Sequence, residues 1–240
     1  MKTPIALVLA VLAFAAGFFV GQRQTLDAAL GERLGAIETK LADLEKARPA
    51  GAARPNEPKP LAPAEAMKLI ALDGAPARGA EKGQVTIVEY GDFQCPFCLR
   101  SRPTIQQVMQ AYPAQVKVVY KHFPLSFHRE AMNAHRAAEA AREQGKFWEM
   151  HDRIFQTPSD LTPETMRKHA EALGLDLAKF DEAYKSERVQ KRIAADQDEG
   201  RKVGVRGTPA FFVNGKYIAG AQPFDAFKRE IDAALGKATG

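Results

Sequence analysis

Val85-Thr86-Ile87-Val88-Glu89-Tyr90-Gly91-Asp92-Phe93-Gln94-Cys95-Pro96-Phe97-Cys98 decides the fold. Its first half is apolar and β-branched and reads as a strand. A short turn follows, and two cysteines three positions apart then open a helix. Residues so spaced at a helix start share a face. The pair can meet the Cα separation of about 4.4–6.8 Å that a disulfide needs. Pro96 suits the first helical position, where no amide donor is required. Cys95 then falls at the positive end of the helix dipole, which favours thiolate over thiol. The thiolate is the attacking species in disulfide exchange. The 240-residue chain has only these two cysteines. A static bridge closing so short a loop would stabilise little. A zinc site wants four ligands, and no second cysteine pair exists. The pattern reads as a redox dithiol.

Glu89 has the strand parity of Val85 and Ile87, so it points into the same layer. A carboxylate among buried apolar residues is expensive, and its pKa rises. Glu89 is therefore expected to exchange a proton with Cys98. The alternative is a strand-end glutamate with its head in solvent.

A net charge of +5 and a pI near 9.2 are mildly basic. Lysine and arginine are dispersed and no nucleic-acid motif is present, so the charge reads as solvated surface and nucleic acid is not an expected partner. Arg100 and Arg102, just past Cys98, are expected to add modestly to thiolate stability.

Ile5 to Val20 is an apolar run broken only by Gly17. Residues 1–22 read as a signal peptide or an uncleaved membrane anchor, with the rest of the chain exported to a compartment where disulfides persist. In residues 23–46, Leu30, Leu34, Ile37, Leu41 and Leu44 recur at heptad spacing. They read as a helical stalk that joins copies of the chain through residues 26–46, or as a solvated spacer. Residues 47–63 hold five prolines and read as an extended linker. Ala64–Leu72 suggests a short docking helix, and Asp73–Gly83 a loop.

The globular part, residues 64–240, reads as α/β. After the dithiol helix comes a second strand at Val116–Tyr120, implying a parallel pair with a right-handed crossover. A helical insert spans about 126–203. It opens with an alanine-rich helix from Phe127 to Glu143 and continues with Phe147–Phe155, which carries Trp148, expected in the core. Three more helices start at Thr162, Asp176 and Ser186, each a capping residue. Pro209–Val213 and Lys216–Ala219 flank Asn214-Gly215, a strong hairpin signal. A last helix runs from Pro223 to about Leu235. The five histidines read as ordinary surface or core residues, although His128 and His135, seven apart, could share a helix face.

This order resembles the thioredoxin fold, and the insert makes it similar to the DsbA-like branch of that superfamily, from Val85 to Gly240. The matching pieces are Glu89, Phe93 to Cys98, His122-Phe123-Pro124-Leu125, Gly145 to Trp148 and Gly207-Thr208-Pro209. The resemblance implies that Cys95 is the exposed nucleophile and Cys98 the buried resolving thiol, with Pro96 and Phe97 completing the motif. It implies that Thr208-Pro209 is a cis-proline loop facing the dithiol and binding extended substrate, at the start of an edge strand. No cofactor is expected beyond the Cys95–Cys98 disulfide. The expected partners are protein thiols or disulfides, a redox protein in the membrane, and the membrane itself through the amino-terminal segment. Phe97 departs from the strongly oxidising members, which carry histidine there. It cannot donate to the Cys95 thiolate, so a milder oxidant, or isomerase or reductase work, is expected. Two rival readings are an envelope module binding copper or zinc through the same cysteines, and a non-catalytic anchored scaffold.

Overall fold

The run Val85–Gly91 is buried along its whole length, as a strand covered on both faces must be. The computed structural model of the protein describes residues 61–236. The expected targeting segment (1–22), the stalk (23–46) and the linker up to residue 60 lie outside the described residues. The described elements are, in order, α1 (Pro63–Leu69), β1 (Ala77–Gly79), β2 (Val85–Gly91), α2 (Pro96–Ala111), β3 (Val116–His122), α3 (Ala131–Arg142), α4 (Phe147–Ile154), α5 (Pro163–Ala172), α6 (Leu177–Lys185), α7 (Glu187–Lys202), β4 (Ala210–Val213), β5 (Lys216–Ala219) and α8 (Phe224–Ala234).

The sheet runs β1-β3-β2-β4-β5. β2 and β3 are parallel, with Val85 opposite Val116 and Gly91 opposite His122. β4 is antiparallel to β2, and β5 to β4. Asn214 and Gly215 turn the hairpin with φ of 44° and 88°, the positive values a type I′ turn requires. Thr162, Asp176 and Ser186 each cap a helix by accepting from the backbone N–H three residues on. The β-α-β half, helical insert, hairpin and final helix follow the order read from the sequence.

Three details differ. Ala77–Gly79, expected as loop, is an edge strand antiparallel to β3. The alanine-rich helix begins at Ala131, not Phe127. The reason lies before it: the Asp92 carboxylate accepts from Leu125 N (2.7 Å) and Gln94 Oε1 accepts from Glu130 N (2.9 Å), holding 125–130 as turns against the dithiol. The strand after Pro209 is interior, because β5 folds back and takes the sheet edge.

Alternation along β2 divides its side chains between two cores. Val85 and Ile87 meet Ile105 and Val108 of α2 and Phe227 and Ile231 of α8. Val88 and Tyr90 meet Ala66, Ile70 and Val205 on the other face. The insert helices build a third core that reaches Phe93, Cys98 and Tyr120. Trp148 is half-buried at the joint, its Nε1–H donating to Ala77 O (2.9 Å) with the Arg78 guanidinium 4.2 Å from its ring. A buried cation anchors α7 across β3: Lys121 Nζ lies 3.1 Å from Asp196 and 3.0 Å from Glu199. Asp196 also accepts from His122 N (3.1 Å), and Glu199 from the Tyr90 hydroxyl (2.7 Å) and Ala71 N (2.8 Å). With those bonds made, the buried charges are compensated. α7 then delivers the chain to the loop at Thr208.

Candidate active site

Cys95 is the residue that caps α2, in extended backbone (φ −76°, ψ 120°), with Pro96 at the first helical position. The turn from β2 is an aspartate turn, Gln94 N donating to Asp92 Oδ1 at 2.8 Å. Cys95 N donates to Asp92 O (3.1 Å), and Asp92 N donates to Cys98 Sγ (3.4 Å). One short turn therefore aims both sulfurs. Both cysteines are free thiols. The Cys95 thiol donates to Thr208 O at 3.3 Å, and the Thr208–Pro209 peptide is cis.

Cys95, expected exposed, is only 4% exposed because the Thr208 carbonyl covers its sulfur, while Cys98 is fully buried. Phe97 lies outside the pair, half exposed, with the Arg100 guanidinium 4.8 Å from its ring.

The two thiols are driven apart in acidity. Cys95 is lowered to about 5, first by the hydrogen bond from the Cys98 thiol. The Thr208 hydroxyl, buried and with no other partner among the described residues, adds to this, as do the Cys98 and Phe97 amides of the first helical turn. Cys98 is pushed up, first by burial, then by its bond to Cys95 and by the charges of Cys95 and Glu89. At neutral pH the pair holds one proton, on Cys98. Alkylation of reduced Cys95 by iodoacetamide is expected to rise with pH around a midpoint near 5. In Cys98→Ala that midpoint is expected to move toward the ordinary thiol value.

Glu89, on β2, is 5% exposed; its charge is felt at Cys98, and burial pushes its carboxyl up to about 7. The charges of Arg78 and Arg102 pull the other way and lose. Both guanidiniums are shared with Asp152, at 3.5 Å and 2.7 Å. Arg102, expected to help the thiolate, is spent on Asp152 and on the Phe155 ring 5.0 Å away. Neither it nor Arg100 is among the groups that lower Cys95.

Four of the five histidines gather around the same turn rather than along one helix face; His169, on α5, pairs instead with Thr157 Oγ1 at 2.9 Å. His128 precedes α3 and its Nδ1 lies 2.8 Å from Asp92 Oδ2. His122 and His135 join Nδ1 to Nδ1 at 2.7 Å, so one ring donates and the other accepts. Burial lowers both, His122 to about 3, and His151, also buried, falls to about 4. All three are neutral packing: His135 and His151 lie 4.8 Å and 5.6 Å from the Phe93 ring, and His122 lies 5.6 Å from Tyr120. Among the described residues, no group of three or more His, Cys, Asp or Glu is arranged to hold a metal ion.

A family model described as the DSBA-like thioredoxin domain matches residues 86–232. The chain belongs to this family. Its members are thiol-disulfide oxidoreductases. Among solved DsbA-like relatives, a thioredoxin-like oxidoreductase from Silicibacter pomeroyi DSS-3 is 30% identical with a TM-score of 0.64, over 69% of this chain and 95% of that one. A periplasmic thioredoxin-like protein from Salmonella enterica serovar Typhimurium is 25% identical with a TM-score of 0.62, over 72% and 97%. A curated relative, the Na(+)/H(+) antiporter NhaA 3 of Salinispora tropica, is 40% identical over 162 residues, which is 67% of this chain and 25% of that protein. The chain thus spans about a quarter of the length of the curated relatives it matches.

Of the residues read from the sequence, Cys95, Pro96, Phe97 and Cys98 stand at the helix start, the Thr208 carbonyl meets Cys95 with a cis peptide to Pro209, and Glu89 is buried on β2 with its charge felt at Cys98. Sequence reasoning missed Asp92 and Tyr120. Asp92 could have been found as a turn aspartate two residues before an amide it captures. Tyr120 pairs in register with Glu89, its hydroxyl buried without a partner among the described residues. A strand tyrosine carries no mark of that.

Proposed function

We propose that this chain is an exported thiol-disulfide oxidoreductase that exchanges disulfides with other proteins through Cys95 and Cys98. The observation that carries the reading is the acidic Cys95 sulfur at a helix start, against the Thr208 carbonyl, with a high-pKa Cys98 beneath it. In the reducing direction, the Cys95 thiolate attacks one sulfur of a substrate disulfide. That S–S bond breaks, the leaving sulfur departs as a thiolate, and a mixed disulfide joins Cys95 to substrate. Cys98 gives its proton to the Glu89 carboxylate and attacks Cys95. The second substrate sulfur leaves as a thiolate, one substrate sulfur takes the proton held by Glu89 and the other takes one from solvent, and the enzyme holds a Cys95–Cys98 disulfide while the substrate holds two thiols. Oxidation of substrate thiols runs the same steps backward, with Glu89 returning the proton to Cys98. A membrane redox protein then takes the electron pair and restores the enzyme disulfide.

Protein substrates fit the surface beside the dithiol. Among the described residues, three large hydrophobics are exposed, and two of them, Phe97 and Phe127 at 50% and 73%, flank this turn. An extended substrate strand would add to the backbone at Thr208. The amino-terminal apolar run supports export, and the stalk is read as joining copies of the chain.

The test uses oxidised full-length protein and a reduced, unfolded polypeptide with several cysteines. One disulfide per chain is expected to pass to the substrate, leaving Cys95 and Cys98 as thiols. Substrate thiols that stay untouched, or zinc or copper bound one per chain, would overturn the reading.

A further inference from the structure

A cavity of about 670 Å³ opens between the turns that lead into α3 and the end of α7. Phe123, Leu125, Met132 and Val205 give it apolar walls. Three exposed arginines, Arg129, Arg201 and Arg206, stand around it, and no carboxylate is among its lining residues. Arg201 is paired with Asp198 at 2.7 Å. Arg206 reaches only the Arg201 and Val205 carbonyls, each at 3.4 Å, and neither it nor Arg129 pairs with a described acid. Glu130, beside Arg129, is turned to Asn133 at 2.6 Å. Two guanidiniums thus face solvent uncompensated over an apolar floor.

Both walls are fastened to the dithiol. The Leu125–Glu130 turns hang from Asp92 and Gln94, immediately before Cys95. Arg206 is two residues before Thr208, whose carbonyl touches the Cys95 thiol. The segments that line the cavity are therefore tied to the residues on both sides of Cys95.

We propose that the cavity is a specificity subsite for an acidic, partly apolar segment of the polypeptide whose disulfide Cys95 exchanges. The proposal rests on the thiol-disulfide reading. An apolar substrate side chain fills the floor, and Asp or Glu side chains a few residues from the substrate cysteine meet Arg129 and Arg206. Guanidinium suits this role because its planar donors match a carboxylate in bidentate geometry and carry less hydration than an ammonium.

Full-length reduced protein is mixed with peptides that carry one cysteine as a mixed disulfide and differ only in flanking residues: Glu-Leu-Glu, Gln-Leu-Gln or Lys-Leu-Lys. The acidic peptide is expected to react about tenfold faster than the neutral one at low salt, with the advantage shrinking at high salt. In the double variant Arg129→Ala/Arg206→Ala the acidic preference is expected to vanish. In Lys179→Ala/Lys191→Ala, which removes the same charge from distant exposed helix positions, it is expected to persist. Equal rates for the three peptides, or a preference that survives the arginine changes, would overturn the subsite. The neutral hydroxyethyl disulfide separates the two readings. Wild-type protein that reacts with it while ignoring peptide charge loses only the subsite; wild-type protein no faster than Cys95→Ser toward it loses the thiol-disulfide reading as well.

Discussion

Cys95→Ala is expected to lower disulfide exchange by about 10⁴-fold or more, to the level of an unrelated protein. No neighbour can substitute for it. The only other sulfur nucleophile, Cys98, is fully buried and its pKa is raised, first by burial, so almost none of it is thiolate at neutral pH. Cys98→Ala is expected to behave differently. Cys95 still attacks, although less of it is thiolate once its largest stabilising bond is gone. The mixed disulfide then has nothing to resolve it and accumulates. The measurement is a rate of exchange for the first variant and a non-reducing gel for the second. Equal losses in both variants with no trapped species would mean that the two sulfurs do not divide the work.

Glu89→Gln is expected to have two effects of opposite sign. Resolution by Cys98 at neutral pH is expected to slow by about 10²-fold, and its dependence on pH near 7 to disappear, because the proton acceptor is gone. Folding stability is expected to rise. The Glu89 carboxyl is pushed from 4.5 up to about 7 by burial. Between those values the folded state keeps a proton that the unfolded chain has released, so wild-type stability falls as pH rises through that window and is level above it. The loss amounts to about 3 kcal/mol. Glutamine, neutral at every pH, avoids it. Denaturant unfolding of reduced protein is expected to show the variant more stable by roughly that amount at pH 8, and no different at pH 4. A variant of unchanged stability at pH 8 would mean that Glu89 is solvated.

The features legible in the sequence are those whose cause is local. A proline between two cysteines marks a helix start. Strand parity places Glu89 with Val85 and Ile87. Asn214-Gly215 names its own turn, and Thr162, Asp176 and Ser186 cap the helices they precede. What was not legible depends on partners far along the chain. Ala77–Gly79 is a strand only because β3 has a free edge for it. The late start of α3 is imposed by Asp92 and Gln94, more than thirty residues upstream. Arg102 was expected to serve the thiolate, but Asp152, fifty residues away, claims it. The burial of Cys95 has the same cause, since the carbonyl covering it belongs to Thr208, 113 residues along the chain.

Equilibrating the full chain with graded glutathione buffers and following the Cys95–Cys98 pair by mass tests the redox assignment most directly. A single two-electron transition is expected, with both sulfurs losing hydrogen together. Its midpoint is expected between about −200 mV, typical of glutaredoxins, and about −120 mV, that of DsbA. The low pKa of Cys95 stabilises the dithiol form, and Phe97 withholds the extra donor that would push the potential to the upper limit. Sulfurs that remain thiols in every buffer, or a bridge reduced only below about −300 mV as structural disulfides are, would contradict it.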